Sequence, residues 1–433
     1  MAEIIPFRAW RYNQEISNHI ETCLSPLFDV VTDSQRKKLY QNPFNSIHIS
    51  VPRGPKAAET AAATLKNWKD QQVIEQDFLP GIYPYYQRFN LTGSRESYCR
   101  KGFICFIKAY DWQENVVLRH ENTIPPAVEE RVELLKTMEL NASATHGLYS
   151  DPSFRLEEIM DECMKEPIVE TEDYQGVREV LSVIHDVVAI KQFIQVLKAQ
   201  QVILADGHHR YQGALDYRKF RARNNPHHTG NEGYNYHLMY LTNMEARDIR
   251  ILATHRLVRD MPELTRESFV EKASRYFDIV PVDNPLEIDE IILGKKATFG
   301  VVMKDHTYRL VLKPGFEQQI DWPFPPVIKR LDLTMLHYYI LEKIWGIRGR
   351  DQRSSPNIIY DRNFTDCVTR VKEGESQMAI ITNELTMDEV KKVCFSGYTL
   401  PQKSTYFYPK VVCGLLFGSV KEDEFQLSHY PGF

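Results

Sequence analysis

The chain has 433 residues, with 53 Lys or Arg against 58 Asp or Glu, so its formal net charge at pH 7 is −5. This mild acidity argues against a protein that coats a nucleic-acid backbone, because such proteins carry a strong basic excess. The longest strongly apolar stretch, Val411–Val420, is too short to span a bilayer as a helix. No basic segment followed by an apolar run opens the sequence, and we therefore expect a cytoplasmic globular protein.

Helix and strand patterns alternate along the chain, which predicts a mixed α/β (α+β) fold. Apolar residues at helical spacing predict a helix that follows Asp186 as N-cap and ends near residue 198. Thr386 and Glu389 have the spacing of a capping box, and Gly397 is placed to end that helix. Strands are predicted at residues 201–205, 237–241, 299–303 and 308–312, the last two as a hairpin.

The polar segment of residues 223–230 contains Pro226 and Gly230 and interrupts these patterns near the middle of the chain. We place a domain boundary there, which gives one α/β domain at residues 1–225 and a second at residues 226–433. The segment itself is either a linker or an active-site loop.

The most informative stretch predicts a strand, a tight turn and a helix. Residues 202–205 are an unbroken apolar run, Asp206-Gly207 forms the turn, and helical spacing follows. His208, His209 and Arg210 then occupy the first helical turn, where free N–H groups and the helix dipole favour an anion. Cations at this position oppose the dipole, so the pattern indicates that a phosphate or another oxyanion binds there.

Two other interpretations of this turn are possible. The histidines are packed and neutral in the first, and Arg210 pairs with a structural carboxylate. The second is a metal site, but adjacent histidines on a helix point about 100° apart and do not readily chelate one ion. The phosphate interpretation is favoured over both.

A second polar cluster follows the apolar residues Val116–Leu118. Glu121 is a candidate general base for an attacking hydroxyl, and His120 would tune it or bind phosphate. Arg131 is expected to open a helix ten residues later. Taken alone, the cluster is better interpreted as a surface loop. It becomes a candidate catalytic cluster only beside an anion site.

A third and a fourth cluster offer cations and hydroxyls. The third cluster is Leu400–Lys410, where Pro401 and Pro409 predict an extended loop that presents phosphate ligands or, equally, an edge strand with solvent-facing lysines. Its candidate ligands are Lys403, Ser404, Thr405 and Lys410. His255 and Arg256 follow the apolar residues Ile251-Leu252, where a solvated turn is the favoured interpretation when they are taken alone.

These stretches together resemble a bacterial family described as domain of unknown function 1015. The matching motifs extend over nearly the whole chain and are Ile5–Arg8, Phe28–Val30, Gln87–Phe89, His120-Glu121, Gly147–Asp151, Ala205–Tyr211, Thr254–Leu257 and Lys403–Lys410. Phe28 departs from the Tyr that the family has before an Asp, so an aromatic hydroxyl at that position has no counterpart here.

The Asp-Gly-His-His-Arg sequence is also similar to the Gly-x-Arg-Arg element of the ParB and sulfiredoxin-like superfamily, whose free serine kinases carry a similar motif. The resemblance implies a ParB/sulfiredoxin-like core that binds nucleotide phosphates, with additional α/β elements. It further implies phosphoryl transfer on phosphoserine or serine in L-serine biosynthesis, by a phosphatase or a nucleotide-dependent kinase. Its partners would be small molecules (phosphoserine or serine and a nucleotide), with neither nucleic acid nor membrane.

Roles follow from this hypothesis. The phosphate- or nucleotide-binding set is Asp206, Gly207, His208, His209, Arg210, Arg131, His255, Arg256, Lys403, Ser404, Thr405 and Lys410. The catalytic candidates are Glu121, His120 and His209, with ADP or ATP as co-substrate. Asp29 and Asp206 are the candidate Mg²⁺ ligands. The rival functions are a ParB-like nucleotide-binding switch or DNA-partition module without serine chemistry, and a scaffold with a vestigial site; no helix-turn-helix signal supports the switch or partition module.

Overall fold

The computed structural model describes residues 1–27, 32–91, 95–352, 354–400 and 403–425. Within these ranges the chain forms two compact units. The first contains Met1–Arg119, Thr123–Ile249 and the segment that begins at Pro409, and the second contains His120–Asn122 and Arg250–Tyr408. The predicted boundary after residue 225 lies inside the first unit.

Strands occur in both units. In chain order they are β1 (Ile4–Ile5), β2 (Trp10–Tyr12), β3 (Ile74–Gln76), β4 (Tyr83–Asn90), β5 (Ser97–Lys108), β6 (Val117–Arg119), β7 (Leu140–Asn141), β8 (Thr145–Tyr149), β9 (Val169–Glu172), β10 (Arg178–Leu181), β11 (Val202–Asp206), β12 (Tyr236–Asn243), β13 (Arg250–Ile251), β14 (His255–Val258), β15 (Phe277–Val282), β16 (Thr298–Met303), β17 (Thr307–Leu312), β18 (Ile358–Asp361), β19 (Met378–Ile381), β20 (Phe407–Tyr408) and β21 (Gly418–Ser419).

The α-helices alternate with these strands, which confirms the predicted mixed α/β class. They are α1 (Gln14–Ser17), α2 (Asp33–Leu39), α3 (Ile47–Ser50), α4 (Ala57–Asp70), α5 (Pro125–Met138), α6 (Glu157–Cys163), α7 (Val187–Lys198), α8 (His208–Asn224), α9 (Arg266–Ala273), α10 (Ile288–Ile292), α11 (Pro326–Lys329), α12 (Asp332–Met335), α13 (Phe364–Lys372) and α14 (Met387–Phe395). A π-helical segment, Leu336–Ile344, continues α12. In the described part of the chain, no helix has the length and apolarity needed to cross a membrane.

The first unit is built on a sheet that contains nine of the described strands, in the order β6-β11-β8-β12-β5-β4-β10-β9, with β1 beside β5. The β6–β11 and β8–β12 pairs are parallel, and the remaining pairs are antiparallel. Successive residues of β5 enter different core clusters, since Phe103 and Cys105 belong to one and Ile104 and Phe106 to the other. The sheet is therefore covered on both faces, which explains why β11 is an unbroken apolar run.

The second unit has its own sheet and core. Six of its described strands pair antiparallel in the order β15-β17-β16-β19-β14-β18. The predicted hairpin at residues 299–312 is the β16–β17 pair. Large side chains of the π-helical segment, such as Tyr339 and Leu341, pack with Phe299 and Leu310 of this sheet.

Local signals in the sequence predicted several helix ends correctly. The Asp186 side chain accepts a hydrogen bond from the Ala189 backbone N–H at 2.7 Å and caps α7. Thr386 and Glu389 form the predicted capping box of α14, and Gly397 follows it with φ +72°. These contacts satisfy backbone groups that the ends of a helix leave without intrahelical partners.

Two predictions of local structure are wrong. Arg131 does not open a helix, because α5 already begins at Pro125, where proline replaces an N–H that has no intrahelical acceptor. His255 and Arg256 do not form a solvated strand end, because they open β14 and lie buried between β18 and β19.

Candidate functional site

The turn of residues 206–210 joins β11 directly to α8 in the first unit. Gly207 has φ +91°, in the left-handed region that favours glycine. A Cβ at this position would lie 2.6 Å from Cγ2 of Thr145, so the neighbouring strand also excludes a side chain. Glycine therefore allows α8 to begin at His208, immediately after the buried strand, as the sequence predicts.

Arg210 is held by three groups of the first unit. Its Nη1 donates to Oγ of Ser143 at 2.9 Å and to the carbonyl of Ala144 at 2.6 Å. Its Nη2 donates to Oδ2 of Asp206 at 2.9 Å. The buried Nε–H of Arg210 has no acceptor in the described protein. The guanidinium is thus fixed in orientation and keeps a donor for a ligand.

Asp206 lies between two cations. Its Oδ2 accepts from Arg210, and its Oδ1 accepts from Nζ of Lys410. Burial alone would raise the pKa of Asp206, but Lys410 and Arg210 lower it below its ordinary value, so the carboxylate is ionised at neutral pH. The predicted cation Lys410 is therefore brought to the turn, where one carboxylate balances two cations.

A small cavity of about 40 Å³ opens beside Arg210. Its polar lining consists of Ser50, Arg131, Asn141, Ser143, Arg210 and His237. Gly213 lets α8 approach α5 closely, because a Cβ at this position would lie only 2.9 Å from Cβ of Arg131. This close approach brings Arg131 to the cavity. Since a cavity of roughly 10–15 Å³ holds one water, this cavity has room for a group of a few heavy atoms.

His237 faces the same cavity and was not predicted as a site residue. Its Nε2 lies 3.1 Å from Oγ1 of Thr145, while its buried Nδ1 has no partner in the described chain. Burial, and then the nearby Arg210, lowers the pKa of His237 to about 3, so the ring is neutral at pH 7. The available signal was an imidazole in an otherwise apolar predicted strand, where a buried polar group requires a partner.

Arg100 adds a further buried cation that no sequence motif indicated. It is 1% exposed, and its Nη2 donates to Oε1 of Gln87 and to the carbonyl of Pro409, both neutral. Burial, and then Arg100, lowers the pKa of His146 well below its ordinary value. Burial raises the pKa of Glu179 to about 8, and the oxygens of this carboxyl accept from the Tyr85 hydroxyl and the Gln87 amide. In this part of the first unit Arg131 pairs with Glu130, whereas Arg210 and Lys410 share one carboxylate, Asp206.

The two histidines of the turn have different surroundings. His208 is buried, whereas His209 is half-buried and its Nε2 accepts a hydrogen bond at 3.0 Å from the backbone N–H of Ile124, the N-cap of α5. This contact gives His209 a structural role. Its catalytic role stays a prediction.

The other predicted residues belong to the second unit. His120 is 1% exposed, and its Nε2 lies 2.7 Å from Oγ1 of Thr405, so these two candidates are brought together there. Glu121, the residue that follows His120, is half-buried. Ser404 is buried, and Lys403 has a left-handed backbone with φ +56°.

His255 and Arg256 lie in the core of the second unit. Burial, and then Arg256, lowers the pKa of His255 to about 4, so its ring is neutral at pH 7. Its Nδ1 accepts from the backbone N–H of Thr382 at 3.4 Å. The grouping of both residues with the 206–210 turn stays a prediction.

The predicted Mg²⁺ ligands do not form a suitable set in the described chain. Both oxygens of Asp206 contact cations, and a divalent ion would have to displace Arg210 or Lys410. No group of three His, Cys, Asp or Glu side chains with metal-binding geometry occurs among the described residues. Asp29 lies outside those residues. We therefore assign no step of the chemistry to a protein-bound metal.

Comparison with known proteins identifies the family. A family model described as a protein of unknown function (DUF1015) matches residues 4–334. The chain belongs to this family. The match ends before Lys410, so it does not include the lysine that contacts Asp206. No curated protein sequence matches the chain.

Several solved structures are distantly similar. A free serine kinase in complex with AMP is 13% identical, and the alignment covers 75% of this chain and 93% of that one at a TM-score of 0.38. A conserved hypothetical protein from Pyrococcus furiosus is 12% identical over 75% and 97% of the two chains, with a TM-score of 0.36. SbnI with a C-terminal truncation, from Staphylococcus aureus, is 10% identical over 74% and 90%, with a TM-score of 0.34. Likenesses at this level do not decide the function.

Proposed function

We propose that this protein transfers a phosphoryl group to or from serine, with phosphoserine as the phosphorylated partner and ADP or ATP as co-substrate. The observation that carries the proposal is the 206–210 turn itself, where Arg210 and Lys410 share the single carboxylate of Asp206 and Arg210 lines the small cavity with an Nε–H that has no acceptor among the described residues. Phosphoryl transfer depends on neutralising and positioning a charged group, with little covalent chemistry left to the protein. A cavity of about 40 Å³ suits a single phosphoryl group better than a whole nucleotide.

Each side chain has a distinct role in this proposal. The Nε–H of Arg210 and the first backbone amides of α8 bind the phosphate oxygens, as helix N-termini commonly do. Asp206 positions Arg210 and Lys410, and Ser143 and Ala144 fix the plane of the guanidinium. These contacts are in place before the ligand arrives, which reduces the reorganisation that catalysis requires.

The transfer itself exchanges one P–O bond for another. In the kinase direction, the serine hydroxyl oxygen bonds to phosphorus, the bond from phosphorus to the nucleotide's bridging oxygen breaks, and the hydroxyl proton passes to a base. With phosphoserine and ADP the same steps run in reverse, and in a phosphatase water takes the place of the nucleotide. Glu121 remains our candidate for the base.

Serine as the acceptor rests on the resemblance of the Asp-Gly-His-His-Arg sequence to free serine kinases. That resemblance also suggests that the activity serves L-serine biosynthesis. The cavity and its cations support the phosphate half of the proposal, and the motif supports the serine half.

The test is to incubate the purified protein with O-phosphoserine, with and without ADP and Mg²⁺, and to quantify serine, ATP and inorganic phosphate. Serine with ATP indicates a kinase working in reverse, and serine with inorganic phosphate alone indicates a phosphatase. Arg210→Ala should slow the formation of either product by roughly 30- to 1000-fold. Nucleotide binding without serine formation would overturn the proposal and favour the ParB-like switch.

A further inference from the structure

The second unit contains a separate cavity, of about 380 Å³, that the proposed function does not use. Aromatic rings and polar side chains share its walls, among them Trp322, Phe324, Tyr360, His337, Arg350 and Gln352. Cavities that bind small molecules typically combine a mainly apolar lining with a few fixed polar groups. The volume and the lining of this cavity fit that description.

A fully buried cation lies directly behind this wall. Arg256 is 0% exposed, donates from Nη1 to the carbonyl of Thr254, and donates from Nη2 to Nε2 of His337 at 3.1 Å. Its guanidinium carbon is 5.4 Å from the centroid of the Tyr360 ring, and its Nε–H has no acceptor among the residues that the structure describes. No carboxylate of the described chain forms an ion pair with Arg256. Burial lowers its pKa to about 10, so the side chain is still cationic at pH 7.

The groups between Arg256 and the cavity are held in place but do not neutralise the charge of Arg256. His337 accepts from Arg256 at Nε2 and therefore donates from Nδ1 to Oε1 of Gln352 at 2.7 Å. Burial, and then Arg256, lowers the pKa of His337 to about 3, so its ring is neutral at pH 7. The amide of Gln352 donates to the carbonyls of His337 and Ile347, which fixes this wall.

A buried cation without a counter-ion is costly for a fold, and its field extends far in surroundings of low dielectric. Arg350 places a second cation on the lining of the same cavity; its side chain is 75% exposed, and its Nε lies 3.7 Å from Oδ1 of Asp351. Negative charge in the cavity would relieve the cost of burying Arg256. The aromatic rings offer flat apolar surfaces for the rest of a ligand.

We propose that this cavity binds a small molecule that combines a planar ring with one anionic group. Arg350 contacts the anion directly, Arg256 stabilises it through the wall formed by His337 and Tyr360, and Trp322 contacts the ring. A phosphate or a carboxylate supplies the same charge, so the experiment includes both. The inference does not rest on the proposed function, because it is argued from this cavity and Arg256 in the second unit, whereas the proposed phosphate site is argued from the 206–210 turn in the first.

The test is calorimetric titration of the full-length protein with four probes in two matched pairs: AMP with adenosine, and benzoate with benzamide. Inorganic phosphate is titrated as the anion without a ring. Either AMP should bind ten times more tightly than both adenosine and inorganic phosphate, or benzoate should bind ten times more tightly than benzamide. The pair that responds identifies phosphate or carboxylate as the anion. The proposal is overturned if neither pair shows this difference.

Variants then locate the bound ligand. Arg256→Met keeps the volume and removes the charge, and should weaken binding at least tenfold. Arg350→Ala changes an exposed side chain, so it keeps the test decisive if the buried variant fails to fold; it should also weaken binding at least tenfold. Arg259→Ala, a half-exposed arginine of the same unit outside the cavity lining, is the matched control. If Arg350→Ala has no effect, or if Arg210→Ala in the first unit abolishes binding, the assignment is wrong.

Discussion

Replacement of Arg210 by alanine tests the phosphate site most directly. The change removes hydrogen bonds to Ser143 and Ala144 and the ion pair with Asp206. A hydrogen bond from a charged donor contributes about 1.5–3 kcal/mol, but Asp206 keeps Lys410 as its partner, so no unpaired carboxylate remains. We therefore expect the protein to fold, with an unfolding free energy lower by about 3–5 kcal/mol, the range for removing one partner of a buried ion pair.

The effect on activity should be specific. Loss of a charge-assisted contact to the transferring phosphoryl group costs about 2–4 kcal/mol, or roughly 30- to 1000-fold in kcat/KM for phosphoserine. Arg210→Lys should restore little, because an ammonium cannot reproduce the planar fork.

Arg218→Ala is the matched control, since Arg218 lies on the same helix and donates to the carbonyl of Ala109 and to Asp111. It should lower stability by a comparable amount and leave kcat/KM within a few-fold of wild type. Denaturant unfolding and steady-state kinetics measure the two effects. Activity of Arg210→Ala within a few-fold of wild type would refute the phosphate assignment.

Three further predictions concern other residues. Glu121→Gln should lower kcat by roughly 10²–10⁴-fold with ligand affinity nearly unchanged, and weaker phosphoserine binding at preserved kcat would make Glu121 a binding residue instead. Gly207→Ala should destabilise the fold by about 1–3 kcal/mol more than Gly230→Ala, because both glycines have positive φ but only the first would place its Cβ against Thr145; equal losses in denaturant unfolding would contradict this packing argument. The pKa of His337 is depressed from roughly 6.5 in the unfolded chain to about 3, so stability is retained above pH 6.5 and is lost as pH falls towards 3, by about 2 kcal/mol at pH 5. Urea unfolding between pH 7.5 and 5 should show that His337→Gln loses less unfolding free energy than the wild type as pH falls. An equal loss in the two proteins would show that the His337 ring does not cause the effect.

Features that depend on neighbouring residues were predictable from the sequence. The strand, turn and helix around Gly207 follow from an apolar run, a glycine and helical spacing, all within seventeen residues. The caps of α7 and α14 follow from side chains three residues from the backbone groups that they bond. Interactions of this range leave a pattern that is readable along the chain.

Features that depend on tertiary contacts were not predictable in the same way. Arg100 is far from the turn in sequence and reaches the carbonyl of Pro409 through the packing of β5. His237 was placed on a predicted strand, but which face its ring occupies depends on strand pairing that periodicity alone does not give. The contact of Lys410 with Asp206 likewise depends on how the last segment of the chain returns to the first unit. The set of side chains around the 206–210 turn therefore could not be derived from motifs.

The return of the chain to the first unit at Pro409 has a consequence for biosynthesis. The ribosome completes the whole second unit before it makes Lys410, the partner of Asp206, and β21, the partner of β7. Until then, Asp206 has only Arg210 as an ion-pair partner, and Arg100 lacks the carbonyl of Pro409. The nascent first unit thus emerges with the contacts of Asp206 and Arg100 incomplete. Its maturation must wait for the segment that begins at Pro409, while the second unit has all of its own described strands available earlier.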